Sequence, residues 1–278
     1  MALLRNLATE TYQPTPSYYP TESPHYSINQ RVLATLVGLV AFAMPWVMLW
    51  APRQFGICFR DSISHYYYEP FLGIVLLVSL SSIATFLFAY RGQNIWENVL
   101  ASLAGLGALG VALFPTTGHG CVDQGAFLAR AVLELPGQVA PGTTVDPAGA
   151  VATFQLFPGV DNVHYISASV LFGFLAWYSF RVFPRVVVSR QTKAGGEKLT
   201  GVKATRNVIY YASGTVILLA AATMGINGLA TRLLGSTGEW WSAWNMTFWC
   251  EAAALWAFGV SWTVKGRLFG LILKDRGE

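Results

Sequence analysis

Phe71-Leu-Gly-Ile-Val-Leu-Leu-Val-Ser-Leu-Ser-Ser-Ile-Ala-Thr-Phe-Leu-Phe-Ala-Tyr90 runs for twenty residues without a charge. About 20 apolar residues in a helix cross the hydrocarbon core of a bilayer. This stretch therefore reads as a transmembrane helix, and it has company. Outward from it lie apolar spans at about Val32 to Trp50, Val99 to Phe114, Tyr165 to Phe183, Val208 to Thr231 and Trp240 to Val264. Pro45 is expected to bend the first span without breaking it, because neighbouring helices re-satisfy the freed backbone groups. The expected fold class is all-α: a polytopic membrane protein with a six-transmembrane-helix bundle. Both termini are expected to be cytoplasmic, with one long extracytoplasmic loop.

Composition agrees with this reading. The 278 residues are 54% hydrophobic and only 12% charged, whereas a soluble domain carries about 25% charged residues. The net charge of +4 does not point to nucleic acid, because the basic residues collect beside the apolar spans. With the N-terminus inside, fourteen of the eighteen Lys and Arg residues fall on the cytoplasmic side, leaving Arg53, Arg60, Arg130 and Arg232 outside. The positive-inside rule then places the chain N-in and C-in, and the expected location is a bacterial cytoplasmic (inner) membrane.

The expected organisation is a flexible cytoplasmic tail over 1–30, a transmembrane domain over 31–266 and a cytoplasmic tail over 267–278. The first tail is rich in Pro, Tyr and Ser around Tyr12 to Pro20 and lacks the apolar region of a cleavable signal. It is one place where a protein partner could attach; the transmembrane surface is the other. Membrane lipids are the remaining expected partner. Between spans, a long outer loop covers 115–163 and a basic inner loop covers 184–207. In the outer loop an apolar stripe, Phe127, Leu128, Ala131, Val132 and Leu135, predicts a short surface helix. The inner loop suits anionic headgroups.

Gly105-Leu-Gly-Ala-Leu-Gly110 matches the glycine spacing of a dinucleotide loop. The required strand before it and ribose-binding acid after it are missing. Small residues at this spacing instead let membrane helices approach closely.

The polar residues that could carry chemistry sort onto the outer side. His65, His119 and His164 each have an aspartate three or four residues away: Asp61, Asp123 and Asp161. Imidazole suits zinc, and a carboxylate behind a ligand histidine is the usual supporting partner. Three histidines plus water would make a catalytic zinc site with an aspartate as base. Equally, these residues could satisfy one another and the loop backbone at helix ends. Ser62 and Ser64 are either caps of the second helix or contain a nucleophile beside His65. Glu251 lies in the sixth span, where an acid is costly and marks a functional position; it is expected to face the interior, held neutral or partnered by Asn227. Cys58 and Cys121 both fall outside, where a disulfide between them can persist. Trp240, Trp241, Trp244 and Trp249 suit an interfacial belt.

Ser62-Ile-Ser-His-Tyr-Tyr-Tyr68, Tyr90-Arg-Gly92, Val111-Ala-Leu-Phe-Pro-Thr116, His164-Tyr-Ile-Ser-Ala168 and Phe258-Gly-Val-Ser-Trp-Thr-Val-Lys-Gly266 together resemble a group of bacterial multi-span membrane proteins with no assigned activity. A fainter resemblance is to the CREST superfamily of membrane hydrolases, which implies Ser, Asp and His around a metal. This chain differs from them in having six spans rather than seven and no histidine pair late in the chain. The resulting expectation is a metal-dependent hydrolase of a lipid-like substrate at the outer face. Its zinc ligands would be His65, His119 and His164, with Asp61, Asp123, Asp161 and Glu251 as catalytic acids or bases. The alternative is a non-enzymatic scaffold or accessory subunit of a larger membrane complex.

Overall fold

The computed structural model describes residues 30–114, 116, 161–185, 200–235 and 238–268. Helices occupy Gln30–Phe55 (α1), Pro70–Ala89 (α2), Ile95–Leu113 (α3), Asp161–Trp177 (α4), Gly201–Leu234 (α5), Glu239–Ala243 (α6) and Met246–Gly266 (α7). A 3-10 turn at Ser64–Tyr68 precedes α2, and one π-helical turn at Tyr178–Val182 continues α4. The described residues contain no strand. The surface helix expected at Phe127 to Leu135 lies outside them, as do both tails.

Five helices are long and apolar enough to cross a membrane: Gln30–Phe55, Phe71–Ala89, Ile95–Leu113, Asn162–Val182 and Gly201–Leu234. Their large apolar side chains point outward as well as inward, with Ile74, Leu219, Ile226 and Leu233 all more than half exposed. A water-soluble fold would bury them.

Local signals set the helix ends. Pro70 opens α2, where its missing N–H costs nothing and its fixed φ suits a helix. The Asn94 side chain accepts from the Glu97 N–H at 2.9 Å and caps α3. Gly235 closes α5 in the left-handed region at φ 79°. α1 continues through Pro45 and Pro52.

Two span boundaries differ from expectation. The fifth helix starts at Gly201, so Lys203 and Arg206 belong to a helix rather than to the basic loop. Thr200 makes this possible by accepting from the Lys203 N–H at 3.3 Å. The stretch expected as a sixth span is not among the five helices above and is not one helix from Trp240. It breaks at Trp244–Asn245, where Asn245 adopts φ 50°, and α7 begins only at Met246. Glu251 is consequently in the second turn of α7, near one end of the bundle rather than at its middle.

The six long helices form a closed ring. Each packs on the next in chain order, α5 packs on α7, and α7 returns to α1 in the most extensive helix pairing among the described residues. Glycine makes that pairing close: a Cβ on Gly38 would sit 2.7 Å from the Thr263 nitrogen, and one on Gly259 would sit 2.6 Å from the Phe42 Cβ. The glycines of α3 do the same work. A Cβ on Gly107 would come within 2.8 Å of the Ser167 carbonyl oxygen, and Gly110 abuts the Ser167 side chain. Gly105 to Gly110 is thus a helix-packing surface toward α2 and α4.

Candidate functional site

The polar segment between α1 and α2 is folded back into one end of the ring. Arg60 and Glu69 close it as a buried ion pair. The Arg60 N–H donates to the Tyr66 hydroxyl at 3.1 Å, and burial pushes that phenol up to about 12, so it stays a neutral acceptor. Tyr66 is fully buried and packs edge-on against Phe59 and Phe248. From α7, the Phe248 N–H donates to the Asp61 carbonyl at 2.7 Å. The segment is therefore anchored at both ends before any catalytic group is considered.

Glu251 holds its middle. The carboxylate accepts from the Ile63 N–H at 2.6 Å and from the Ser62 hydroxyl at 2.9 Å. The Ser62 oxygen in turn accepts from the Ser64 N–H at 3.1 Å. Glu251 thus faces the interior as expected, but its partners are Ser62 and Ile63 rather than Asn227. Its place in the second turn of α7 explains this, because it brings the carboxylate level with the folded-back segment.

Ser64 and His164 then meet. The Ser64 Oγ lies 3.1 Å from His164 Nε2, while His164 Nδ1 lies 2.8 Å from the Phe114 carbonyl oxygen. A carbonyl only accepts, so Nδ1 carries the proton. The neutral ring then presents the Nε2 lone pair to the serine, and the Ser64 hydroxyl donates to it. This is the nucleophile–base spacing of covalent catalysis, with a main-chain carbonyl rather than a carboxylate orienting the ring. Ser64 and His164 are both buried.

The expected site residues divide as follows. Asp61 and His65 do pair, Oδ1 to Nδ1 at 2.6 Å. What holds the ring of His164 is Phe114 and Ser64; the Asp161 side chain lies outside the described residues. His119 and Asp123 lie outside them as well. Among the described residues no three His, Cys, Asp or Glu side chains gather closely enough to hold a metal ion. Cys58 is disulfide-bonded and Cys250 is free, and the expected partner Cys121 lies outside the described residues.

The serine was read as a neighbour of His65, one residue away in sequence. The 3-10 turn instead sends adjacent side chains in different directions, and Ser64 finds the histidine one hundred positions later. Sequence reasoning also passed over Glu97, whose capping signal, Asn94-Ile-Trp-Glu97, was legible. Glu97 is 1% exposed. It accepts from the Gln93 N–H at 2.9 Å, the Asn94 amide at 2.8 Å and the Arg185 guanidinium at 2.5 Å. This second polar cluster sits at the opposite end of the ring.

No protein-family model, curated protein or solved structure matches this chain.

Proposed function

We propose that the chain is a six-span integral membrane protein that hydrolyses an acyl ester of a lipid-like substrate, with Ser64 as nucleophile and His164 as general base. The observation that carries this reading is the 3.1 Å contact from Ser64 Oγ to His164 Nε2, with Nδ1 tied to the Phe114 carbonyl. In the reaction the Ser64 oxygen bonds to the ester carbonyl carbon as its proton passes to Nε2. Collapse of the tetrahedral intermediate breaks the carbon–alkoxide bond, and the leaving alcohol takes that proton. Water then repeats the sequence on the acyl-enzyme and restores Ser64. Glu251 is a positioning residue: by holding Ser62 and Ile63 it fixes the backbone that presents Ser64.

In this reading α7 is the sixth span, although Glu251, Lys265 and its tryptophans dilute its hydropathy. Both termini face the cytoplasm. The support is that the start of α1, the end of α2 and the end of α7 share one end of the ring: the Arg91 N–H bonds to Gln30 at 3.2 Å, and Gly266 abuts Thr35 and Arg31. The serine–histidine end is then extracytoplasmic. Trp240, Trp244 and Trp249, all exposed there, suit the headgroup depth at which a lipid ester lies. A zinc-dependent form of the same hydrolase is favoured by one observation, the Asp61–His65 pair, which is the arrangement that directs Nε2 of a histidine to a metal.

Fluorophosphonate labelling of the purified full chain, with peptide mapping and metal analysis of the same preparation, separates these readings. The expected adduct is on Ser64. It should disappear in Ser64→Ala, persist in Ser62→Ala and form roughly 10²-fold more slowly in His164→Gln. No adduct on Ser64 overturns the serine reading. In that case stoichiometric zinc, lost in His65→Ala, His119→Ala and His164→Ala, would support the metal form. Absence of both would leave the scaffold.

A further inference from the structure

α4 and α5 are tied together at two levels. At the serine–histidine end the Arg232 guanidinium donates to the Asn162 side chain at 3.1 Å. Toward the other end the Phe180 ring lies 6.1 Å from the Tyr211 ring, and a Cβ on Gly214 would sit 2.7 Å from Phe180. Asn162 and Phe180 are eighteen positions apart, as are Gly214 and Arg232. Eighteen residues make about five full turns, so the side that each helix turns toward the other is fixed over the whole interval. Between the two ties that side carries Ile166, Ser169 and Gly173 on α4, and Ala221, Gly225 and Gly228 on α5, spaced three and four apart.

Helices in contact bury the residues between them, yet this stripe is open. Ile166 is 63% exposed; Ser169, Gly173, Gly225 and Gly228 are exposed and Ala221 partly so. A Cβ added to Gly173, Gly225 or Gly228 would meet nothing within 4 Å, whereas one on Gly107 or Gly110 of α3 would strike α4. Glycine on α3 serves close approach. Here two helices pinned at both ends enclose a cleft.

The interval is about 27 Å long at 1.5 Å per residue, more than the roughly 15 Å of hydrocarbon that one leaflet contributes. Both walls belong to helices long and apolar enough to cross a membrane. Ser169 returns its hydroxyl to the Tyr165 carbonyl at 2.7 Å, which leaves the wall apolar. Next to Ile166 stands Tyr165, 58% exposed, with its ring edge-on to His164 at 5.8 Å. Cleft and candidate site are therefore continuous through one aromatic side chain.

We propose that the cleft between α4 and α5 takes one acyl chain of a membrane lipid and presents that lipid's ester to Ser64. The substrate class is then a long-chain membrane ester rather than a short soluble one. An acyl chain is apolar, needs no hydrogen bond and already lies at this depth in a bilayer. The presentation step rests on the Ser64–His164 reading; the chain site does not.

The test reads the rate of Ser64 labelling in the purified full chain by two alkyl fluorophosphonates, one with a hexadecyl and one with an ethyl chain. Variants are compared probe by probe, so partition of the long chain into detergent cancels. Gly225→Leu and Gly228→Leu fill open space on one wall, and Gly173→Leu on the other. Each should slow hexadecyl labelling about tenfold, as misplacing a reacting group does, and leave ethyl labelling unchanged. Gly201→Leu, at a glycine of α5 with equal room outside the cleft, should change neither. Native mass spectrometry of Ser64→Ala gives a readout without chemistry: hexadecanoyl lysophosphatidylcholine should bind saturably, one per chain, and be lost when Gly225→Leu and Gly228→Leu are added. Hexadecyl labelling unchanged in all three cleft variants, or lysolipid binding that survives the two leucines, overturns the proposal. A wild-type dimer that the leucines split would assign the cleft to a second copy and overturn it too. Failure of the hydrolase reading looks different: no adduct on Ser64 from either probe overturns presentation to the serine, while lysolipid binding abolished by filling the cleft still supports the chain site.

Discussion

Glu251 and Glu97 are both carboxylates in the first two turns of a helix of the ring, both turned inward, and both capture a main-chain N–H from the segment beside them. Their surroundings differ. Glu251 takes its hydrogen bonds from Ile63 and Ser62, both uncharged donors, and the Ser64 oxygen lies 3.5 Å away. Glu97 takes its shortest one from the Arg185 guanidinium. An acid among hydroxyls and amides can orient a reactive loop; an acid beside arginine neutralises charge and locks helices. The same residue type thus builds a candidate chemical site at one end and a structural clasp amid cations at the other.

The largest expected effect tests the clasp. Glu97→Ala leaves the Arg185 charge and the Gln93 and Asn94 donors without their acceptor and should cost about 3–5 kcal/mol, as broken buried ion pairs do. Denaturant unfolding in detergent measures this, and a loss below about 1 kcal/mol would show that this end of the ring does not depend on the pair.

Glu251→Ala comes next. It orphans the Ile63 N–H and the Ser62 hydroxyl, at about 1–3 kcal/mol, and Glu251→Gln should recover most of that because an amide oxygen still accepts. A cost matching that of Glu97→Ala, with no recovery by Gln, would erase the contrast between the two ends.

Salt supplies the smallest and most selective effect. Raising ionic strength from about 0.1 M to about 1 M shortens the Debye length from about 10 Å to about 3 Å. Arg267, Arg185 and Arg206 all act electrostatically on Lys265 at the Glu97 end, and screening of these crowded cations should raise stability by less than about 1 kcal/mol. The increment should persist in Glu251→Gln and vanish when Lys265→Gln and Arg267→Gln are combined. Equal increments in all variants would mean that the cations at the Glu97 end of the ring do not repel one another.

Much of this was open to a reader of the sequence. His65 stands on the 3-10 turn and Asp61 four residues before it, just ahead of the turn, and the two pair as their spacing suggests. The inward orientation of Glu251 is the one expected of an acid set in an apolar helical stretch. The glycines of α3 pack helices because no strand precedes them. Where the sequence reading went astray, the cause was local. Lys203 and Arg206 looked like loop residues because charge was equated with water, but a Thr200 cap and a Phe183 carbonyl that accepts from the Lys203 ammonium let the helix begin seven residues earlier than its apolar core. Trp240 to Val264 looked continuous because hydropathy does not register a left-handed residue such as Asn245.

The sequence by itself determined that the described residues are helical and located five helices long and apolar enough to cross a membrane, since backbone groups in a bilayer must be satisfied within each segment; the sixth expected span, Trp240 to Val264, is not among them. It also named nearly all the residues that could do chemistry. Only the tertiary structure decided which of them meet. Ser64 and His164 are one hundred positions apart, and Ser62 and Glu251 are 189 apart. Contacts at such separations depend on which faces the helices turn toward one another, and that is set by packing around the whole ring rather than by any local pattern.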